Sequence, residues 1–124
     1  MRNKFGARKV TINGETFDSQ KEYRRYQELR LLERAGAIHD LMRQVKFELI
    51  PAQYETYERL SEKTGKRLAD GKRCLEKAVY YIADFVYWEG DQMVVEDSKG
   101  YRTDDYIIKR KLMRYMHGIK IKET

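Results

Sequence analysis

Apolar positions along the chain change period several times, and the changes mark the elements. Val10-Thr-Ile12 and Glu15-Thr-Phe17 are short β-forming runs on either side of Asn13-Gly14. That pair tolerates positive φ, so a two-residue type I′ hairpin is the expected link. From about Ser19 to Ala35 the spacing becomes helical, with Tyr26, Leu29 and Leu32 as the buried stripe. Ser19 is the expected cap, Glu22 completes a capping box three residues on, and Gly36 ends the helix. Glu22 lies one turn before Tyr26, so it faces inward or toward an edge of the core.

A strand is expected from roughly Met42 to Ile50, where Val45, Phe47 and Leu49 alternate with Lys46 and Glu48 before Pro51. Residues 52–77 are heavily charged, with turn signals at Thr64-Gly65 and Asp70-Gly71. They read as a protruding hairpin or a partly mobile loop. Val79 to Trp88 is the strongest strand pattern. Glu89-Gly90-Asp91 turns it, and Gln92 to Lys99 runs back beside it. Asp104 to His117 is a second helix, capped by Thr103 and ended by Gly118, with Ile108, Leu112, Tyr115 and Met116 as its core face. Ile119-Lys-Ile121 is a final short strand. The fold class is α/β: one domain over residues 1–124, a small mixed sheet flanked by helices, an N-terminal β-hairpin, a basic arm at 1–9 and a variable segment at 52–77.

Composition narrows the classes. The 124 residues are 41% hydrophobic and 12% aromatic, enough for a real core. No apolar run is long enough to cross a bilayer and no signal-peptide block opens the chain, so a soluble cytoplasmic protein is expected. Cys74 stands alone and is expected as a reduced, half-buried thiol. The net charge of +6 is unevenly spread. Residues 1–10 carry Arg2, Lys4, Arg8 and Lys9. Residues 106–124 carry six basic groups against Glu123, which leaves the middle acidic. Basic ends suit a polyanion and an acidic centre suits a cation, although basic ends also serve as solubilising tails.

The acids that matter sit inside apolar strands. Asp84 lies within Tyr80-Tyr-Ile-Ala-Asp-Phe-Val-Tyr-Trp88, and Asp97 lies within Val94-Val-Glu-Asp-Ser-Lys-Gly100. Burying an unpaired carboxylate costs several kcal/mol (roughly) or forces it to take a proton. Alternation puts Val95, Asp97 and Lys99 on one face, with Val94, Glu96 and Ser98 on the other. Asp97 rather than Glu96 is therefore the expected partner of Asp84. Two acids held close are favourable when a divalent cation bridges them, and Mg²⁺ takes such hard oxygen ligands. The Ser98 carbonyl offers another oxygen, and Lys99 beside the ion is placed to steady a phosphate or a water.

Asp84 followed by Asp97-Ser98-Lys99 resembles the PD-(D/E)xK signature of restriction-endonuclease-like nucleases. With Thr16-Phe-Asp-Ser-Gln-Lys-Glu22, Tyr26-Gln-Glu-Leu29, Tyr81-Ile-Ala-Asp-Phe85 and Lys109-Arg-Lys-Leu112, residues 4–121 resemble a family of small phage and prophage endonucleases, Holliday-junction-resolvase-like. Residues 52–77 match poorly. The resemblance implies a restriction-endonuclease-like core. It also implies that Asp84, Asp97 and Glu22 bind Mg²⁺ or Mn²⁺ and that Lys99 orients or activates water. The expected partner is DNA, branched DNA included, and the expected products are a 5′-phosphate and a 3′-hydroxyl. A homodimer would let both strands of a junction be cut. The motif's Pro is Ala83 here, and its usual Glu is Asp97.

Each candidate also has a plain structural role open to it. Glu22 serves as a capping acid, and Asp84 and Lys99 as a buried ion pair. Tyr101 and Tyr106 serve as core or as stacking platforms. Arg110, Arg114 and His117, with Lys109, Arg8 and Lys9, serve as phosphate contacts or as a solvated surface. His39 and His117 lack a zinc or triad pattern, and no glycine-rich phosphate loop occurs. Three rivals stand beside the endonuclease: a non-catalytic DNA-binding module, a nuclease acting on flaps, ends or RNA, and an accessory protein that docks on another protein. For the last, no large exposed apolar stripe is read from the sequence.

Overall fold

A computed structural model describes residues 9–98 and 101–124. Arg2, Lys4, Arg8 and Lys99 lie outside the described residues. The hairpin forms as the sequence pattern requires: β1 (Val10–Ile12) pairs antiparallel with β2 (Glu15–Phe17), in the register Ile12 to Glu15. Asn13 and Gly14 both take positive φ, 53° and 81°. Helix α1 (Gln20–Arg34) follows, its Ser19 cap accepting from the Glu22 N–H. Strands β3 (His39–Ile50), β6 (Val79–Glu89), β7 (Gln92–Asp97) and β8 (Lys122–Glu123) form one sheet in that order. β6 and β7 are antiparallel while β7 and β8 are parallel, so the sheet is mixed. Helix α2 (Asp104–His117) starts at Thr103, which accepts from the Tyr106 N–H. It ends at Gly118, whose φ of 67° a side chain would resist. The protein is an α/β fold with a small mixed sheet, two helices and an N-terminal hairpin, an architecture compatible with a nuclease-like core. Among the described residues no helix is long and apolar enough to cross a membrane.

The chain divides into two compact units. The first holds the described residues up to Phe47 and those from Tyr81 onward, and the second is Glu48–Tyr80. Within the second, β4 (Gln53–Leu60) and β5 (Arg67–Glu76) make an antiparallel ribbon. Asp70-Gly71 is not a turn there but part of β5. The glycine is needed because the Tyr57 ring lies against it: a Cβ would stand 2.2 Å from the ring's Cζ. Cys74 is exposed rather than half-buried.

In the first unit Leu29 and Ile38 pack with Phe85 and Tyr87, and Tyr26, Leu41 and Val94 close the edges. Two expectations about burial and one about a strand's bounds need correction. Leu32 is exposed, because α1 turns Leu29 and Glu22 to the core instead. On α2 the buried residues are Tyr106 and Met113, two turns apart, with Tyr106 set 6.4 Å from Tyr81. Ile108, Tyr115 and Met116 therefore lie outside, so an exposed apolar stripe does exist. The last strand also begins later than expected, at Lys122, with Ile121 buried just before it.

A second buried charge ties α1 to the sheet. Glu96 is fully buried, and Arg25 reaches it from α1 with Nε at 2.5 Å and Nη2 at 3.1 Å. Tyr87 donates its hydroxyl at 2.7 Å and Thr124 donates at 3.2 Å, so the carboxylate is fully engaged. Removing one partner of such a pair leaves a buried charge uncompensated. Arg25→Ala is expected to cost about 3 kcal/mol, while Arg25→Met with Glu96→Leu recovers most of that loss. Urea denaturation of the two variants checks this. A loss no larger for the single variant than for the double contradicts it.

Candidate functional site

Three elements deliver acids to one place. Glu22 comes from the first turn of α1, Asp84 from β6 and Asp97 from the end of β7. Glu22 and Asp97 are each 1% exposed, which makes their charges costly unless answered. Asp18, one residue before the α1 cap, joins them. Oxygens of Asp18, Glu22 and Asp84 all lie within 4.8 Å of one another. Asp84 and Asp97 are neighbours across β6 and β7, one step beyond the Phe85–Glu96 pair, and their carboxyls are close enough for the Asp97 charge to raise Asp84. Burial, then the Asp97 charge, then that of Glu22 push the Asp84 carboxyl up to about 8. Burial likewise raises Glu22, and the Asp18 N–H opposes this by bonding Glu22 Oε2 at 2.9 Å.

Neutral donors and one cation hold the cluster in shape. The Ser98 N–H donates to Asp84 Oδ2 at 2.9 Å, and the Tyr81 hydroxyl donates to Asp97 Oδ2 at 2.5 Å. Gln44 Nε2 donates to Glu22 Oε1 at 3.0 Å, from a backbone held at φ 53°. A non-glycine residue in that region carries strain, of the kind that gathers at functional sites. Arg43 stacks on the Phe17 ring at 3.8 Å and sits 3.7 Å from Glu22 Oε1. Among the described residues its buried Nε has no hydrogen-bond partner.

The expected site residues therefore fall into groups. Glu22, Asp84 and Asp97 converge, and Ser98 adjoins them through its backbone N–H. Lys99 and Arg8 lie outside the described residues. Glu96 points instead to Arg25 and Tyr87. Lys9 and Tyr101 are exposed, Lys109 is half-buried, and Arg114 is exposed on α2. Arg110 is half-buried and lies 3.5 Å from Glu123, which also binds Arg102. Asp18, Arg43 and Gln44 were missed. For Asp18 a signal was present, because it stands one turn ahead of Glu22. Arg43 and Gln44 carried none, since their contacts depend on how β3 meets α1.

The donor set fits a hard divalent cation. The clustered side-chain ligands are all carboxylates, and a double positive charge among them would offset the repulsion that raises Asp84. An α/β protein with a buried acid cluster at the junction of a helix and two strands is thus the class that fold and geometry define. A family model covers residues 2–123, and the chain belongs to that family, DUF1064, described as a protein of unknown function. Neither the curated proteins nor the solved structures contain a match to it.

The raised Asp84 pKa makes a signed prediction for metal-free protein. Between about pH 4 and pH 8 folded Asp84 holds a proton that the unfolded chain has released. Stability therefore falls as pH rises through that window, and the penalty is complete above it. Asp84→Asn, which has no such proton to lose, should gain Tm relative to the wild-type protein as pH rises from about 5 to 9. A constant difference in Tm across that range contradicts the prediction.

Proposed function

We propose that this protein is a Mg²⁺- or Mn²⁺-dependent endonuclease that hydrolyses phosphodiester bonds of DNA, branched or junction DNA included. One observation carries the reading: carboxyls from α1, β6 and β7 gather in one place, with Glu22 beside Asp84 and Asp97 its neighbour across the strands. That is the arrangement the PD-(D/E)xK resemblance implies for Glu22, Asp84 and Asp97. Asp84, Asp97 and Glu22 hold the cation, with Asp18 beside them. Bound there, the ion supplies Lewis-acid stabilisation of charge on the phosphate oxygens. Gln44 and the Ser98 N–H keep the acids oriented. Lys99 follows the cluster in sequence and acts on the attacking water. Basic groups at the termini and on α2 (Arg8, Lys9, Lys109, Arg110, Arg114), with Tyr101, contact the backbone of the nucleic acid. The exposed α2 stripe offers a surface for a second copy, and the site of action is the cytoplasm, of a bacterial host if the chain is phage-borne.

A second reading, a non-catalytic DNA-binding module on the same fold, draws on a different observation. Tyr81, Ser98 and Gln44 already satisfy one oxygen on each of the three acids.

Cleavage separates the two. Four-way junction, flap, duplex and single-stranded DNA are incubated with protein in Mg²⁺, Mn²⁺ and EDTA. The nuclease reading expects cutting of at least one branched substrate, abolished by EDTA. Asp97→Ala and Lys99→Ala should lower the rate by about a hundredfold or more. DNA binding with no cutting in any metal supports the module instead.

A further inference from the structure

The N-terminal hairpin and α1 line an open cleft of about 440 Å³. Two of its lining residues are chain neighbours of the acids: Phe17 immediately precedes Asp18, and Tyr23 immediately follows Glu22. Phe17 and Tyr23 meet edge to face, with ring centres 5.1 Å apart. The Tyr23 hydroxyl accepts from Gln27 Nε2 at 3.1 Å, which steadies the ring, and Gln27 is itself part of the cleft wall. Further along α1, Arg30 and Arg34 line the same space one turn apart. Arg30 is steadied by donating to the Tyr26 hydroxyl at 2.7 Å. From Tyr23 the two arginines are about 10 and 17 Å along the helix axis.

Aromatic surface, a side-chain amide and paired guanidinium groups together suit a planar heterocycle that carries an anion. The volume is at the low end for small-molecule sites. It admits one nucleotide and has no room for a base pair. A lipid chain does not fit a lining this rich in polar groups. A second metal does not fit either, because Glu15 is the only carboxylate on the wall.

We propose that this cleft receives one unpaired nucleotide of the substrate strand, next to the phosphate held at the acid cluster. The base lies against Tyr23, whose ring is backed by the buried Phe17, and the adjoining phosphate meets Arg30 and Arg34. The inference rests on the endonuclease reading and sharpens it. The preferred substrate has at least one unpaired nucleotide beside the cut, as in a flap, a fork or an opened junction, and perfect duplex is a poor one.

Two exposed positions allow a test that leaves the core and the acids intact. Leu31, 63% exposed on the cleft wall, is changed to Trp to fill the space, and exposed Arg34 is changed to Ser. Variants of residues 1–124 with unchanged Tm are titrated in EDTA, beside the wild-type protein, against single-stranded and duplex oligonucleotides carrying 2-aminopurine at successive positions. A free deoxynucleoside monophosphate serves as competitor. The wild-type protein should change the fluorescence of one position in the single strand. Each variant should lose that signal and about tenfold or more of its single-strand affinity, with duplex affinity moving less than twofold. Equal weakening on both DNAs, or no weakening, overturns the proposal. Competition by the monophosphate as strong as by the strand also overturns it, because the cleft is then a mononucleotide site. Cleavage of the same DNAs in Mg²⁺ keeps the two claims apart. Normal cutting with no effect of the cleft variants sinks the cleft and leaves the nuclease standing. Single-strand binding lost in the variants, with no cutting by any protein, sinks the nuclease and leaves a nucleotide-binding cleft.

Discussion

Mutual repulsion among buried and half-buried carboxyls is the constraint on which the site depends. Glu22, Asp84 and Asp97 are brought together by backbone elements that have no freedom to separate them: a helix capped at Ser19 and two strands joined by a tight turn at Gly90-Asp91. Something must answer that charge. In the described residues the answer is a proton on Asp84, helped by four neutral donors and the nearby Arg43. A proton is a weak answer near neutral pH, because the group that holds it titrates at about 8. A divalent cation is a stronger one.

Glu96 provides the contrast within the same strand. It is buried as deeply as its neighbour Asp97, yet Arg25 pairs with it in a fork and two hydroxyls complete its bonding. One carboxylate is neutralised for good by a permanent partner and needs nothing further. The adjacent one faces another acid across the strands and accepts from the Tyr81 hydroxyl on Oδ2. Alternation along β7 separates these two roles, with a structural ion pair toward α1 and an acid cluster at the neighbouring position. A sheet that needed charge only for cohesion would use the first arrangement at both.

Much of this was legible in the sequence because it is local. Asn13-Gly14 fixes the hairpin, Ser19 and Thr103 start the helices, Gly118 stops the second, and the apolar run around Asp84 marks the central strand. The convergence of Asp84 and Asp97 followed from alternation and a short turn. The failures share a cause: they depend on which surface meets which. Helix α2 has two apolar faces, and Ile108, Leu112, Tyr115 and Met116 outnumber Tyr106 and Met113. Tertiary packing chose the smaller set. Asp70-Gly71 has the composition of a turn, but its glycine makes room for a ring across the ribbon. Arg25, Arg43 and Gln44 act over long sequence separations that no periodicity encodes.

The central claim is that a divalent ion replaces the proton in this cluster, and calorimetry reads that exchange directly. Mn²⁺ is titrated into the protein near pH 7 in two buffers of different ionisation enthalpy. The account predicts one principal site that releases about one proton per ion bound, with the release fading toward pH 9 and lost in Asp84→Asn. Binding with no proton release, or no binding at all, would contradict it.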